Sequence, residues 1–325
     1  TNNWALISSV NTSATSSIAA DTMVFVSLSD IGQSTGGQGL AAGLPSDGQG
    51  AKRIWGGAIG GAQDVSTWTT SSDGNASTGD VHTSQETEGF RIGGSLRVWA
   101  AQAGNLDLGF TASTTEGSVE QNGPGRTTRF EMPAYGAHLL FTGNRLRADV
   151  QVETLDIKID PSDVITTAEV NGSGNRIQVG LGLRTELAQG TLEPYLRAEQ
   201  LTVDIDPVAM TGGLGRLSFD SQDSRLMEFG LRGGIALPGE TWSTAPSFDI
   251  SITHEDGSAL SRFTPVGVGG RVDGLSAREG AYFGAEAGVD LIHNASGIEL
   301  YARGTGRHGE DVSGYAVNLG ARLRF

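Results

Sequence analysis

From Gly89 to Phe325 apolar and polar residues trade places one by one in stretch after stretch, and a chain written with this period of two is committed to β-strands with two unlike faces. The last stretch, Gly314–Phe325, shows it most cleanly. Tyr315, Val317, Leu319, Ala321, Leu323 and Phe325 are apolar or aromatic, while Gly314, Ala316, Asn318, Gly320, Arg322 and Arg324 between them are small or polar. Such a strand wants hydrocarbon on one side and a wet or tightly packed interior on the other. It must also pair along both edges, which a closed barrel provides.

The same alternation recurs upstream. Phe90, Ile92, Leu96 and Val98 oppose Arg91, Arg97 and Trp99 in Gly89–Ala101, and Leu106–Thr115 sets Leu106, Leu108 and Phe110 against Asp107. Leu146–Glu153 turns Arg147, Asp149 and Glu153 inward; Arg176–Glu186 does so with Arg184 and Glu186, and Leu192–Asp204 with Tyr195, Arg197 and Glu199. Arg225–Leu237 contributes Glu228 and Arg232, Phe248–His254 contributes Asp249, Ala281–Leu291 contributes Glu286 and Asp290, and Ile298–Thr305 contributes Glu299 and Arg303. Lys52–Val65 is a weaker, glycine-rich strand in which Trp55 and Ile59 share a face. Arg129–Phe141 loses its register near Pro133, where a β-bulge is expected. With the closing strand this makes twelve. The fold class is all-β, a 12-stranded antiparallel transmembrane barrel.

Two arguments favour a barrel over a soluble sandwich. Connections alternate between tight ones at 102–105, 142–144, 188–190, 238–246 and 293–297, and long polar ones at 66–87, 116–128, 158–175, 205–223 and 255–279; only 306–312 breaks the contrast. Outer-membrane barrels have short periplasmic turns and long external loops. The second argument is the inner face. Arg91, Arg97, Asp107, Arg147, Asp149, Glu153, Arg184, Glu186, Arg197, Glu199, Glu228, Arg232, Asp249, Glu286, Asp290, Glu299, Arg303 and Arg322 all fall on the polar side of their strands. An oil-filled core could not hold so many ions, whereas a lumen in which acids and bases pair across neighbouring strands can.

Composition adds exclusions. No run of eighteen uncharged apolar residues exists, so a transmembrane helix is ruled out. A net charge of −15 with no Lys/Arg run argues against nucleic acid as a partner. Glycine is abundant at 49 of 325 residues but follows no collagen-like repeat, and cysteine is absent, so disulfides and thiolate sites are impossible. Nothing in the pattern calls for a cofactor or a metal.

Residues 1–50 form a separate unit, rich in Ser, Thr, Ala, Gly and Asn and without Lys or Arg. Met23–Leu28 (MVFVSL) is a short apolar patch in it, and Gly32–Gly50 reads as linker. Residues 51–325 are the barrel. Phe25–Gly32 (FVSLSDIG) resembles the serine block of GDSL-type esterases without its Gly-Asp, and Asp290 and His293 have that family's Asp-x-x-His spacing. That resemblance implies Ser27 as nucleophile, but no α/β core lies between the two blocks.

The twelve strands, the terminal Tyr-x-Val-x-Leu-x-Ala-x-Leu-x-Phe pattern at 315–325, the Pro194-Tyr195 strand and the polar leader resemble the C-terminal translocator domain of a type Va autotransporter. The resemblance covers about 52–325. It implies a monomeric barrel in the outer membrane of a Gram-negative bacterium, in contact with lipid and lipopolysaccharide. Periplasmic chaperones and the barrel-insertion machinery would be its partners in assembly, with Tyr315, Val317, Leu319, Ala321, Leu323 and Phe325 as the signal read. Its own N-terminal passenger would reach the surface through it, leaving residues 1–50 in the lumen as a helical or extended plug. A plain porin-like channel plugged by the same segment is the alternative.

Overall fold

The computed structural model describes residues 52–72, 77–121, 126–161, 169–209, 215–265 and 272–324. Within them the chain forms fifteen strands: β1 (Lys52–Ser72), β2 (Ser77–Ala101), β3 (Gly104–Gln121), β4 (Arg126–Gly143), β5 (Leu146–Pro161), β6 (Val170–Leu183), β7 (Thr185–Leu187), β8 (Gly190–Ile205), β9 (Val208–Ala209), β10 (Gly215–Phe219), β11 (Gln222–Ile235), β12 (Trp242–Pro265), β13 (Val272–His293), β14 (Ile298–Gly309) and β15 (Val312–Arg324). Twelve of these are staves. Each pairs antiparallel with its neighbour in the order β1 to β6, β8, β11 to β15, and β15 closes on β1 from Arg53↔Arg324 to Val65↔Val312. Strands β7, β9 and β10 are short extensions on β8 and β12. No sheet edge runs the length of the barrel, which answers the pairing demand of the last strand.

The outward face is the apolar one. Phe90, Ile92, Phe110, Val152, Ile177, Leu181, Phe229 and Leu319 are all 47–64% exposed, as they must be if hydrocarbon is their solvent. On β2 this band runs from Phe90 to Trp99. At ~3.3 Å per residue and a tilt of about 40° that is roughly 23 Å, close to the apolar height of an outer-membrane barrel. Trp99 belongs to it through a device the alternation concealed. The β2–β3 register shifts between Arg97 and Trp99, so Trp99, expected inside, turns outward and meets Phe141 at 6.4 Å between ring centroids. No bulge occurs at Pro133. The β4–β5 ladder skips Met132 and Pro133 and resumes at Ala134↔Leu155 in the same register, since proline has no N–H to give.

The staves run well beyond the bilayer, and the connections at 66–87, 116–128, 158–175 and 255–279, expected to be long loops, are largely strand. The reason is an inversion of polarity at constant parity. Along β5, Val150 and Val152 face out while Gln151 and Glu153 face in; past that level Asp156, Lys158 and Asp160 face out and Leu155, Ile157 and Ile159 face in. Strand β8 does the same, from Leu196 out and Glu199 in to Asp204 out and Leu201 and Val203 in. The outer part of each stave is thus built like a water-soluble sheet, with its apolar side inward. A reader tracking "apolar out" sees the pattern stop and infers a loop. The change of apolar face near Pro133 has the same cause, as Phe130, Met132 and Ala134 are buried inside while Tyr135 and Leu139 face out.

The charged lumen as candidate functional site

At mid-height the inner wall carries three connected groups of ionic side chains. In the first, Arg91 on β2 donates from Nη2 to Glu153 Oε1 on β5 at 2.7 Å. Arg176 on β6 then joins Glu153 Oε2 (3.2 Å) to Glu199 Oε2 on β8 (2.6 Å). These side chains are 1–3% exposed. Strands β2 and β5 are three spacings apart, roughly 14 Å along the wall. The contact is made because both side chains lie flat over small neighbours. Thr111 on β3 donates to Glu153 at 3.4 Å, and at Gly136 on β4 a Cβ would stand 2.5 Å from Glu153 Cγ.

The second group lines β8, β11 and β12. Tyr195 Oη sits 2.5 Å from Glu228 Oε1 and 2.8 Å from Asp249 Oδ1, Arg197 pairs with Glu228 at 3.0 Å, and Arg232 is bound to Glu193. The guanidinium of Arg232 lies 4.8 Å from the centre of the Tyr195 ring, within cation–π range. Again the neighbour is glycine: a Cβ on Gly230 would meet Tyr195 Cζ at 2.5 Å.

The third group lies beside the seam. Arg303 on β14 holds both oxygens of Asp290 on β13 (2.8 and 3.1 Å), Arg322 on β15 is bound to Glu299, and Arg324 reaches Glu299 Oε2 at 2.6 Å. Arg322 covers the Tyr301 ring at 4.8 Å, and the Tyr301 hydroxyl leans across Gly320 toward Gly56 O on β1, 3.5 Å away. One side chain thus bridges β14, β15 and β1 where the barrel closes.

Of the charged residues expected to line the lumen, Arg91, Asp107, Arg147, Asp149, Glu153, Glu199, Asp290, Glu299, Arg303 and Arg322 are buried. Arg97, Arg184, Arg197, Glu228, Arg232, Asp249 and Glu286 are part-buried. Glu186 is a correction. It lies on β7, past the inner rim, paired in register with Thr191 of the β7–β8 hairpin, and is exposed. Arg97 and Asp107 form a pair at 3.1 Å. The residues that alternation left out are Glu193, on the same face as Tyr195, and the lumen-side glycines. Their signal was present: glycine recurring at inward positions, as in Gly180 and Gly182 beside Gln178.

Of the proposed insertion signal, Tyr315, Val317 and Leu319 are 46–62% exposed on the outer face, Ala321 is exposed and Leu323 part-buried; Phe325 lies outside the described residues. So do residues 1–51, and with them Ser27. Asp290, the acid of the esterase-like spacing, is held by Arg303, while the His293 ring contacts Ser296 Oγ at 2.8 Å and Trp242 at 4.8 Å between centroids. Among the described residues no group of three or more His, Asp or Glu is placed to hold a metal ion.

Comparison with known proteins fits this wall and this closure. The β domain of the Bordetella autotransporter BrkA superposes with a TM-score of 0.61 at 20% identity, over 83% of this chain and 99% of that one. The transport unit of AIDA-I from Escherichia coli gives 0.65 at 15% identity, over 87% and 92%. The translocator domain of NalP from Neisseria meningitidis gives 0.58 at 15%, over 94% and 98%. At these identities the likeness is one of fold. No curated protein sequence matches the chain. The family model described as the autotransporter beta-domain matches residues 54–305. The chain belongs to the autotransporter beta-domain family.

Proposed function

We propose that this chain is the outer-membrane translocator of a type Va autotransporter, a barrel that carries a passenger joined to its N-terminus to the outer surface of a Gram-negative cell and has no catalytic activity of its own. Family membership carries the reading. The structure supports it in two ways. Lipid-facing staves of the right height close without an edge. The lumen wall, with every long ion laid flat on a glycine or threonine, leaves a central passage rather than a filled core. Residues 1–50 are the passenger-side linker and lie in the lumen after export, residues 51–325 are the barrel, and Tyr315 to Phe325 is the segment the insertion machinery reads. A lumen of this strand number admits a helix or extended segments but not a folded domain.

The test is a small reporter fused before Thr1 and produced in a Gram-negative host. Protease added to intact cells should remove the reporter while the barrel stays folded and membrane-embedded. A reporter protected behind a correctly folded barrel would count against translocation and in favour of a plain channel.

A further inference from the structure

Above the row of Arg91, Glu153, Arg176 and Glu199 the lumen wall changes character. Phe130, Leu155, Ile157, Ile159, Leu201 and Val203 point inward from β4, β5 and β8, with Val170 of β6 between them, and are 0–4% exposed. They form a continuous apolar arc on adjacent staves at the external end. A twelve-strand barrel is too wide for opposed layers of side chains to fill, so an arc of this kind lining a wet passage would present its whole inner surface to water. Its burial calls for a covering segment of matching chemistry, and the ionic rows below cannot supply one.

We propose that Met23–Leu28 is that segment, and that the arc is its docking seat. This rests on the reading that residues 1–50 run through the lumen. Five of its six residues, Met23, Val24, Phe25, Val26 and Leu28, are large and apolar, the densest such patch in the first fifty. In an extended conformation Val24, Val26 and Leu28 share one face, as inward residues of a neighbouring stave do. The reach is sufficient. Lys52 opens β1 at the short-turn rim, and Val65, part of the arc's cluster, stands thirteen residues further along that strand. At ~3.3 Å per residue and a tilt of about 40° this is roughly 33 Å of height. The 23 residues from 29 to 51 can span up to about 75 Å when extended, so they reach the arc with slack. Docking there would hold the linker at the external end and close the passage by hydrophobic contact, above the ions.

The experiment places benzoylphenylalanine at Phe25 in the full chain, folded in lipid vesicles, and maps photo-crosslinks by mass spectrometry, with a parallel probe at Leu6. Crosslinks from position 25 into 155–159 or 201–205, at least tenfold above those from position 6, are expected. Crosslinks from position 25 confined to the Arg91, Glu153 or Arg176 level would overturn the seat while leaving the linker in the lumen. Crosslinks only to lipid, between molecules or not at all would overturn both. Preference of position 6 for the arc would also refute the assignment. Phe25→Asp, which leaves every stave intact, should raise single-channel conductance several-fold with unchanged heat-modifiable mobility; unchanged conductance would contradict the docking.

Discussion

Arg176→Ala tests whether the lumen wall is held by its ions. Arg176 is buried on β6 and is within 3.2 Å of Glu153 and 2.6 Å of Glu199, whose side chains are 1% and 3% exposed. Glu153 keeps Arg91 after the substitution, but Glu199 loses its closest cation. Removing one partner of a buried ion pair costs about 3–5 kcal/mol, because the other charge stays desolvated. The folded-to-unfolded ratio should therefore fall by roughly two to four powers of ten. Urea unfolding in lipid vesicles, followed by tryptophan fluorescence, measures the loss. Arg176→Met combined with Glu153→Gln and Glu199→Gln removes the charges together and should recover most of it. A single variant within about 1 kcal/mol of the parent would refute the reasoning. It would mean that water reaches Glu199 freely and that the network contributes little to the wall.

Other substitutions probe the remaining parts. Val150→Arg on the lipid face should cost about 2–4 kcal/mol, whereas Asp156→Arg, on the same outward side of β5 but above the inversion, should stay within about 0.5 kcal/mol; equal effects would misplace the membrane boundary. Gly230→Val places side-chain carbons where the Tyr195 ring lies, and a loss of about 1–3 kcal/mol is expected, visible as a lowered midpoint for heat-modifiable mobility. Tyr301→Ala should weaken the seam by a similar amount, and no change in the midpoint would remove Tyr301 from closure. Deleting Phe325 should lower the yield of folded barrel in the outer membrane, and an undiminished yield would argue against a role in insertion.

The strand faces were legible because the membrane makes them so: with hydrocarbon outside, Val150 and Val152 must oppose Gln151 and Glu153, and period two shows at a glance. Three things were hidden, each for a physical reason. Past Glu153 the outside medium becomes water, so the apolar face turns inward at Leu155 without any change in backbone parity, and strand reads as loop. The bulge at Arg97/Trp99 adds one residue, and a pattern of faces cannot distinguish that from a tryptophan placed inside. The ionic partners were identifiable only as a set. Arg91 meets Glu153 across two intervening strands because Thr111 and Gly136 leave the surface clear, a relation set by barrel curvature and stagger rather than by spacing in sequence.

The most direct measurement is made on the passage itself. A reporter fused before Thr1 and carrying a disulfide-locked loop will stall during export, and photoprobes at Gln178 and Val179 then ask which face it touches. These neighbours on β6 point to the lumen and to lipid, Gln178 being 6% and Val179 46% exposed. Crosslinks to the stalled reporter from position 178 and not from 179 are expected. Crosslinks from 179, or from neither with the reporter held in the periplasm, would contradict transport through the barrel.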